Sequence, residues 1–231
     1  MTISIIIPAL HEQERINGLI EHLKGQGSRV KGQEKHEFEI IVVDGDAEGS
    51  TIAVISDPAV IRLKARQGRG NQLATGVASA NGGIILMLHA DTLLPDNAFQ
   101  FIRAAIIQGA DWGAFRLCID APSLSYRIIE RAVDLRCKLF TLPYGDQAIF
   151  VKNTALQAIG GIPPIPLMED VELARRLRQA GYVFTLLPQR VSTSARRWQK
   201  NGTFRRTLKN WWLLLRYLVG VDPTALAKEY R

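Results

Sequence analysis

A mixed α/β domain with a mostly parallel, doubly wound sheet is the fold class this sequence predicts. Three observations predict it. Short apolar runs of strand length alternate with longer segments whose apolar residues recur at helical spacing. Two of those runs end on an acid, at Asp44 and Asp91. The 231 residues are 47% apolar and 22% charged, enough to bury a sizeable core and too apolar for a disordered chain.

In order along the chain, Ile3 to Ile7 is a run closed by Pro8 and reads as a buried strand. Ile16, Leu19, Ile20 and Leu23 then fall on one helical face. Phe38 to Val43 is a second strand leading into Asp44-Gly45, and Val60 to Leu63 a third. Gly68 to Ala80 reads as a glycine-opened helix, Ile84 to Leu88 as a strand leading into His89-Ala90-Asp91, and Pro95 to Gln108 as a helix with Pro95 near its first turn.

The second half is more mixed. Trp112 to Ile119 reads as a strand, Ser123 to Leu139 as a helix, Gln147 to Val151 as a strand, Met168 to Ala180 as a helix and Tyr182 to Leu187 as a strand. Thr203 to Val219 closes the series as a helix rich in Trp and Leu. With no repeat or clear linker, residues 1–231 are read as one domain, in three stretches: 1–95, the more mixed 96–200 and a helical tail, 201–231.

The net charge of +7 is concentrated in Arg62–Arg69 and Arg190–Lys209, which favours a phosphate-bearing ligand over a diffusely basic surface. Cys118 and Cys137 have no metal-ligand or disulfide-framework spacing and suit a reducing cytoplasm. The first residues lack a basic leader, and no run approaches the roughly 20 apolar residues that span a bilayer.

Four segments carry chemistry. In parallel sheets ligands bind outside the carboxyl ends of strands, where Asp44 and Asp91 fall. A hard divalent cation takes carboxylate and phosphate oxygens, and one strand-end acid plus a diphosphate supplies them; a turn-forming Asp is the alternative. In Arg66-Gln67-Gly68-Arg69-Gly70, glycines flank an arginine before a helix, a pattern suited to anions or to an ordinary basic loop. Gly145-Asp146-Gln147 and Glu169-Asp170 put acids beside turns. Asp170 reads either as a helix cap or as a general base for an acceptor hydroxyl. Arg196-Arg197-Trp198 offers phosphate-clamping guanidinium groups and a stacking indole, or a basic surface patch.

The order of these pieces resembles the inverting family 2 glycosyltransferases over roughly residues 3 to 200. Ile5-Ile6-Ile7-Pro8-Ala9 with Glu12 resembles their opening strand, and Val42-Val43-Asp44-Gly45 their nucleobase-reading acid. Gly68-Arg69-Gly70-Asn71-Gln72 is similar to their glycine-rich turn, and Leu88-His89-Ala90-Asp91 to their metal motif. Gly145-Asp146-Gln147 and Glu169-Asp170 resemble their acceptor-side acids, and Arg197-Trp198 the end of the Gln-x-x-Arg-Trp motif of processive members.

The resemblance implies a GT-A fold and a donor site of Pro8, Glu12, Asp44, Arg66, Arg69, Gly70, His89, Asp91 and Arg197. It implies Mn2+ or Mg2+ on Asp91, an acceptor site of Gly145, Asp146, Gln147, Glu169 and Trp198, and Asp170 as the base. His89 replaces the first acid of the metal motif, and Ser194 stands where the glutamine of Gln-x-x-Arg-Trp would be. The chain is closer to a small, soluble branch with Leu-His-Ala-Asp-Thr and Arg-Arg-Trp motifs than to a processive synthase. The implied partners are a nucleoside-diphosphate sugar and an unidentified, lipid-linked or soluble acceptor.

Two rivals remain. A nucleotidyltransferase would carry its Gly-Arg loop directly after the first strand, where Ala9-Leu10-His11-Glu12 stands instead. A basic nucleic-acid-binding module leaves Asp44, Asp91, Asp146 and Asp170 unexplained, so no nucleic acid is expected. The tail Asn210–Val221, with Arg205, Arg206 and Lys209 upstream, looks apolar on both faces. That favours packing on the domain or a homodimer seam, with peripheral contact at the inner face of a membrane as the second reading.

Overall fold

The structure is a computed structural model that describes residues 1–28, 38–195 and 203–230. The described residues form one eight-stranded mixed sheet flanked by helices. The strands are β1 (Ile3–Ala9), β2 (Phe38–Asp44), β3 (Ile61–Lys64), β4 (Ile84–Met87), β5 (Thr92–Leu93), β6 (Trp112–Asp120), β7 (Phe150–Lys152) and β8 (Phe184–Ser194). Their order across the sheet is β3-β2-β1-β4-β7-β6-β8-β5. The first four pair in parallel; β7 then runs antiparallel to both β4 and β6, β6 and β8 are parallel, and β5 is antiparallel to β8.

The parallel half follows from its sequence. In β1 successive side chains point to opposite faces, so Ile3, Ile5 and Ile7 enter one core while Ile6 enters the other. Both faces are covered, which is why the strand is an unbroken apolar run rather than an alternating one. The helices α1 (Ile16–Ser28) and α4 (Ala98–Ile107) cover the first face with Leu19, Leu23, Ile102 and Ile106. The helices α3 (Arg69–Ala78) and α7 (Glu169–Gln179) cover the second with Leu73, Leu173 and Leu177. At Gly76 of α3 a Cβ would come within 2.4 Å of Ile6 Cγ2, so the helix lies against β1 only because that side chain is missing.

Several expected boundaries move. The segment Gln147–Val151 is not all strand: Gly145–Gln147 is a 3-10 turn, Ala148 has a left-handed φ of 48°, and β7 begins at Phe150. The apolar run hides this turn, because its driver is the buried amide of Gln147 rather than periodicity. Pro95 lies outside α4, since Asn97 at φ 61° starts that helix one turn later. The last strand runs seven residues beyond Leu187, to Ser194, through a register shift against β6 next to Pro188. Short or weakly periodic elements also emerge: α2 (Ser50–Ala53), β5 and α6 (Asn153–Ala158).

Between β6 and the 3-10 turn lies α5 (Leu124–Phe140), and the tail forms α8 (Thr203–Leu218) and α9 (Pro223–Tyr230). The tail packs on the domain through one face of α8 only: Leu213 and Leu214 pack with Leu167, Met168, Val171 and Leu226, whereas Trp211, Trp212, Leu215 and Leu218 are exposed. No helix among the described residues is long and apolar enough to cross a membrane. Both cysteines are free; Cys118 is half-buried and Cys137 buried.

Glu172 ties α8 to α7. Its carboxylate accepts hydrogen bonds from Arg175 Nη2 at 2.7 Å, Arg176 Nε at 2.9 Å and Tyr217 Oη at 2.8 Å. These bonds, that from Arg175 above all, hold its carboxyl down at about 2, below the usual 4.5. A depressed acid contributes stability that is complete above its unfolded value and disappears as pH falls through the folded one. Glu172→Gln should therefore lower the melting temperature at pH 6, and the gap to the parent should close between about pH 4.5 and 2 in circular-dichroism melts. A gap independent of pH would show that the charge on Glu172 does not tie the helices together.

Candidate functional site

The loops at the carboxyl ends of β1 and β4 meet the 3-10 turn and the first turn of α7 to form two adjoining chambers. One holds about 770 Å³ and is lined by Tyr144, Asp146, Met168, Asp170, Asn210 and Leu213. The other holds about 1130 Å³, open to solvent, and is lined by Pro8, Glu12, Gln67, Gly68, Gln72 and Pro166. Arg69, His89, Asp91, Leu167 and Tyr230 line both, so they form the seam between the chambers.

The floor of the larger chamber is a buried polar knot. Gln72 of α3 is 4% exposed and its Nε2 donates to Ala9 O at 2.7 Å and to Val43 O at 2.9 Å. One amide thus joins the carboxyl ends of β1 and β2, and it reaches them across Gly45, where a Cβ would stand 2.9 Å from the amide carbon. Glu12 lines this chamber; its backbone N–H donates to Thr51 Oγ1 at 3.1 Å and its carboxylate pairs with Arg15 at 3.1 Å.

On the seam, Arg69 opens α3 and reaches across to the start of α7. Its Nε donates to Glu169 Oε1, its Nη1 lies 3.1 Å from His89 Nε2, and its Nη2 lies 4.0 Å from Asp170. Because a guanidinium has no acceptor, His89 Nε2 must accept, which leaves the imidazole neutral with its proton on Nδ1. Glu169 is 2% exposed. Burial pushes its carboxyl above the usual range against the pull of Arg69. The same pairing, won against burial, drives the Arg69 guanidinium further up.

Asp170 is held from two sides. Gly145 N donates to its Oδ2 at 2.8 Å and Val171 N to its Oδ1 at 2.8 Å. Met168, left-handed at φ 66°, occupies the N-cap of α7, so Asp170 is an acid inside the first turn rather than the cap. Gly145 is constrained by its neighbour, because a Cβ there would approach His89 Nε2 to 2.7 Å. Asp146 points its Oδ1 into a buried position without a hydrogen-bond partner among the described residues. Burial raises its carboxyl above the usual range, Arg136 opposes that, and the like charges of Asp170 and Asp91 add to it.

Several expected roles change. Asp44 is fully buried, and its carboxylate accepts from Asp46 N at 3.0 Å, Thr51 N at 2.7 Å and Ile52 N at 3.2 Å. It therefore organises the loop after β2 and lines neither chamber. Gln147 is also fully buried: its Oε1 accepts from Arg136 Nη2 at 2.9 Å and Tyr144 N at 3.1 Å, and its Nε2 donates to Phe115 O at 3.0 Å. With both ends of the amide engaged, the Gln147 side chain shapes the loop around the 3-10 turn.

Gly70 admits the chain's own backbone rather than a ligand, since a Cβ would lie 2.3 Å from Ile165 O. The fork of Arg69 is given to protein acids, and Arg66 is exposed and lines neither chamber. Arg197 and Trp198 lie outside the described residues, as do the side chains of Arg205 and Arg206. Sequence reasoning did not place Tyr144, Met168, Asn210, Leu213 or Tyr230 at the site. Tyr144 and Met168 sit directly before the acid motifs, at the caps of the 3-10 turn and of α7, whereas Asn210, Leu213 and Tyr230 have no local signal and arrive through the packing of the tail.

Comparison with known proteins agrees with this geometry. The family model for Glycosyl transferase family 2 matches residues 4–153. The chain is 24% identical over 237 aligned positions to the "Probable glycosyltransferase YdaM" of Bacillus subtilis (strain 168), covering 91% of this chain and 52% of that protein. It is 27% identical over 99 positions to a "Dolichyl-phosphate beta-glucosyltransferase" of Dictyostelium discoideum, covering 38% of this chain and 30% of that one. The chain thus spans about half, or less, of the curated relatives it matches.

Among solved structures, the mannosyltransferase PcManGT of Pyrobaculum calidifontis, in complex with GDP-Man and Mn2+, aligns with a TM-score of 0.64 at 17% identity. That alignment covers 82% of this chain and 56% of that one. S. aureus TarS residues 1–349, in complex with UDP, aligns at 0.61 and 16% identity over 84% of this chain and 60% of that one. The chain belongs to glycosyl transferase family 2 and has the GT-A fold.

The seam yields a stability test. Removing one partner of a buried ion pair strands the other and costs about 3–5 kcal/mol. Arg69→Met should therefore destabilise the protein by that order in urea unfolding, and adding Glu169→Leu should recover most of the loss. Losses that simply add would show that the two side chains do not act as a pair.

Proposed function

We propose that this glycosyltransferase moves a sugar from a nucleoside diphosphate to an acceptor hydroxyl, with inversion at the anomeric carbon. The carrying observation is the placement of Asp91 on the seam between a large open chamber and a chamber that holds Asp170. The structurally similar enzymes solved with UDP, or with GDP-Man and Mn2+, support a nucleotide-sugar donor.

The donor lies in the chamber of Pro8, Glu12, Gln67 and Gly68, with its diphosphate toward Asp91. Among the described residues no group of three or more His, Cys, Asp or Glu forms a cage for a metal. Mg2+ or Mn2+ in phosphate-bearing sites needs few protein ligands. Asp91 would hold such an ion, near Asp146, whose buried Oδ1 has no hydrogen-bond partner among the described residues. Bound there, the ion supplies positive charge to the departing diphosphate.

The acceptor hydroxyl lies in the smaller chamber against Asp170, whose carboxylate the backbone N–H groups of Gly145 and Val171 hold in place. Asp170 takes the hydroxyl proton as the oxygen attacks the sugar from the face opposite the diphosphate, so one displacement inverts the centre. Arg69 fixes the relation between the two chambers by binding Glu169 and His89. Leu167, Met168 and Leu213 give the acceptor chamber an apolar wall, which supports an acceptor with a lipid-linked portion. The two unpaired cysteines support a cytoplasmic location.

Two variants test the assignment. Asp91→Ala should abolish the Mn2+-dependent part of nucleotide affinity in calorimetric titration while leaving the melting temperature intact; affinity in Mn2+ equal to the parent's would remove the role. Asp170→Asn should cut transfer by about 10²–10⁴-fold and spare donor binding. A variant that instead melts earlier with nearly normal turnover would make Asp170 a structural residue of the helix start.

A further inference from the structure

Two helices of this chain present apolar faces that none of the described residues covers. On α5 the exposed positions are Leu124, Ile128, Arg131, Leu135, Lys138 and Leu139, spaced to lie on one side of the helix. On α8 they are Leu208, Lys209, Trp211, Trp212, Leu215 and Leu218. The apolar members are 48% to 77% exposed, too open to be margins of the core. A surface of this kind marks a binding face.

The charges say what the face meets. The acids of α5 are turned inward: Glu130 is 3% exposed and pairs with Arg127 and Arg190, and Asp134 lies near Arg116 and Arg190. The segment Thr203–Leu218 contains no acid at all. The exposed positions of the two faces therefore combine aliphatic and indole groups with cations; the exposed acid beside α8, Glu229 of α9, is already paired with Arg216. A two-fold dimer built on either face would set its cations against themselves. An anionic bilayer supplies the counter-charge, accepts the apolar groups and favours Trp at its interface.

The helices are also joined through the site. The segment after α5 carries Leu142 and Tyr144, which pack in one cluster with Leu213, Leu214 and Tyr217 of α8. The edge of α8 opposite its exposed face contributes Asn210 and Leu213 to the chamber that holds Asp170. We propose that α5 and α8 together form a membrane-docking surface for anionic lipid, which would bring the mouth of that chamber to the headgroup region. The docking stands on its own observations and does not depend on the sugar-transfer reading.

The test is flotation of the full chain with vesicles of phosphatidylcholine mixed with phosphatidylglycerol, beside vesicles of phosphatidylcholine alone and beside sedimentation of the free protein. The parent should float with the mixed vesicles, less as salt rises, and poorly with the neutral ones. Trp211→Ala with Trp212→Ala, and separately Ile128→Ser with Leu135→Ser, should each weaken binding by about tenfold or more at unchanged circular dichroism. The surface variant Arg131→Ser with Lys138→Ser should weaken binding to the mixed vesicles alone. Absence of flotation overturns the proposal. So does flotation insensitive to the α5 pairs, and so does a salt-insensitive dimer that never floats, which would assign the faces to a second copy.

Discussion

The pairing of Arg69 with Glu169 is the contact on which the site depends. A guanidinium at the start of α3 and a carboxylate at the start of α7 belong to segments a hundred residues apart, and Glu169 is withdrawn almost wholly from water. Withdrawing a charge is strongly unfavourable unless another charge meets it in good geometry. The pair therefore fixes where α7 begins relative to α3, and with it the position of Asp170 relative to Asp91. His89 adds a third point of attachment by accepting from the same guanidinium. Gly70 and Gly145 make the approach possible, because a side chain at either would collide with Ile165 O or His89.

Around that contact the sheet changes character. From β3 to β4 it is parallel, and β2, β1 and β4 are buried on both faces while β3 is a half-exposed edge; at β4 the sheet meets the antiparallel β7. The strands of the first half deliver Pro8 and Asp91 at their carboxyl ends, as an α/β crossover must. The second half delivers the 3-10 turn and the first turn of α7 to the same edge, so Asp146 and Asp170 face the strand ends across the seam. The division between the two chambers is thus a division between two kinds of strand pairing.

Much of this was legible along the chain, for a physical reason. Ile3–Ile7, Phe38–Val43 and Ile84–Leu88 are strands buried on both faces, and such strands write themselves as apolar runs. Their terminal acids were legible as position, yet position does not specify occupation. Asp91 faces a chamber, while Asp44, equally a strand-end acid, turns inward to three backbone N–H groups. Gln147 likewise stands in a site-like motif but spends both ends of its amide on protein partners. Such choices rest on donors many residues away. Tyr230 and Leu213 were invisible because only the docking of α8 and α9 on α7 carries them to the site. The tail's one-sided burial was missed because a helix apolar all round gives no indication of which side its neighbour takes.

The amide of Gln72 divides the site into parts of unequal stiffness. Parallel strands tend to part at their carboxyl ends, where a crevice opens, but here one buried side chain clamps the carbonyls of Ala9 and Val43 together. The floor of the larger chamber therefore behaves as a rigid plate continuous with the sheet. The opposite wall, made in part by α8 and α9, rests on the Leu213–Leu226 cluster and on the Glu172–Tyr217 bond. Elastic deformation follows the softer path, so any closure around a ligand belongs to that wall, with the plate beneath it serving as a fixed reference.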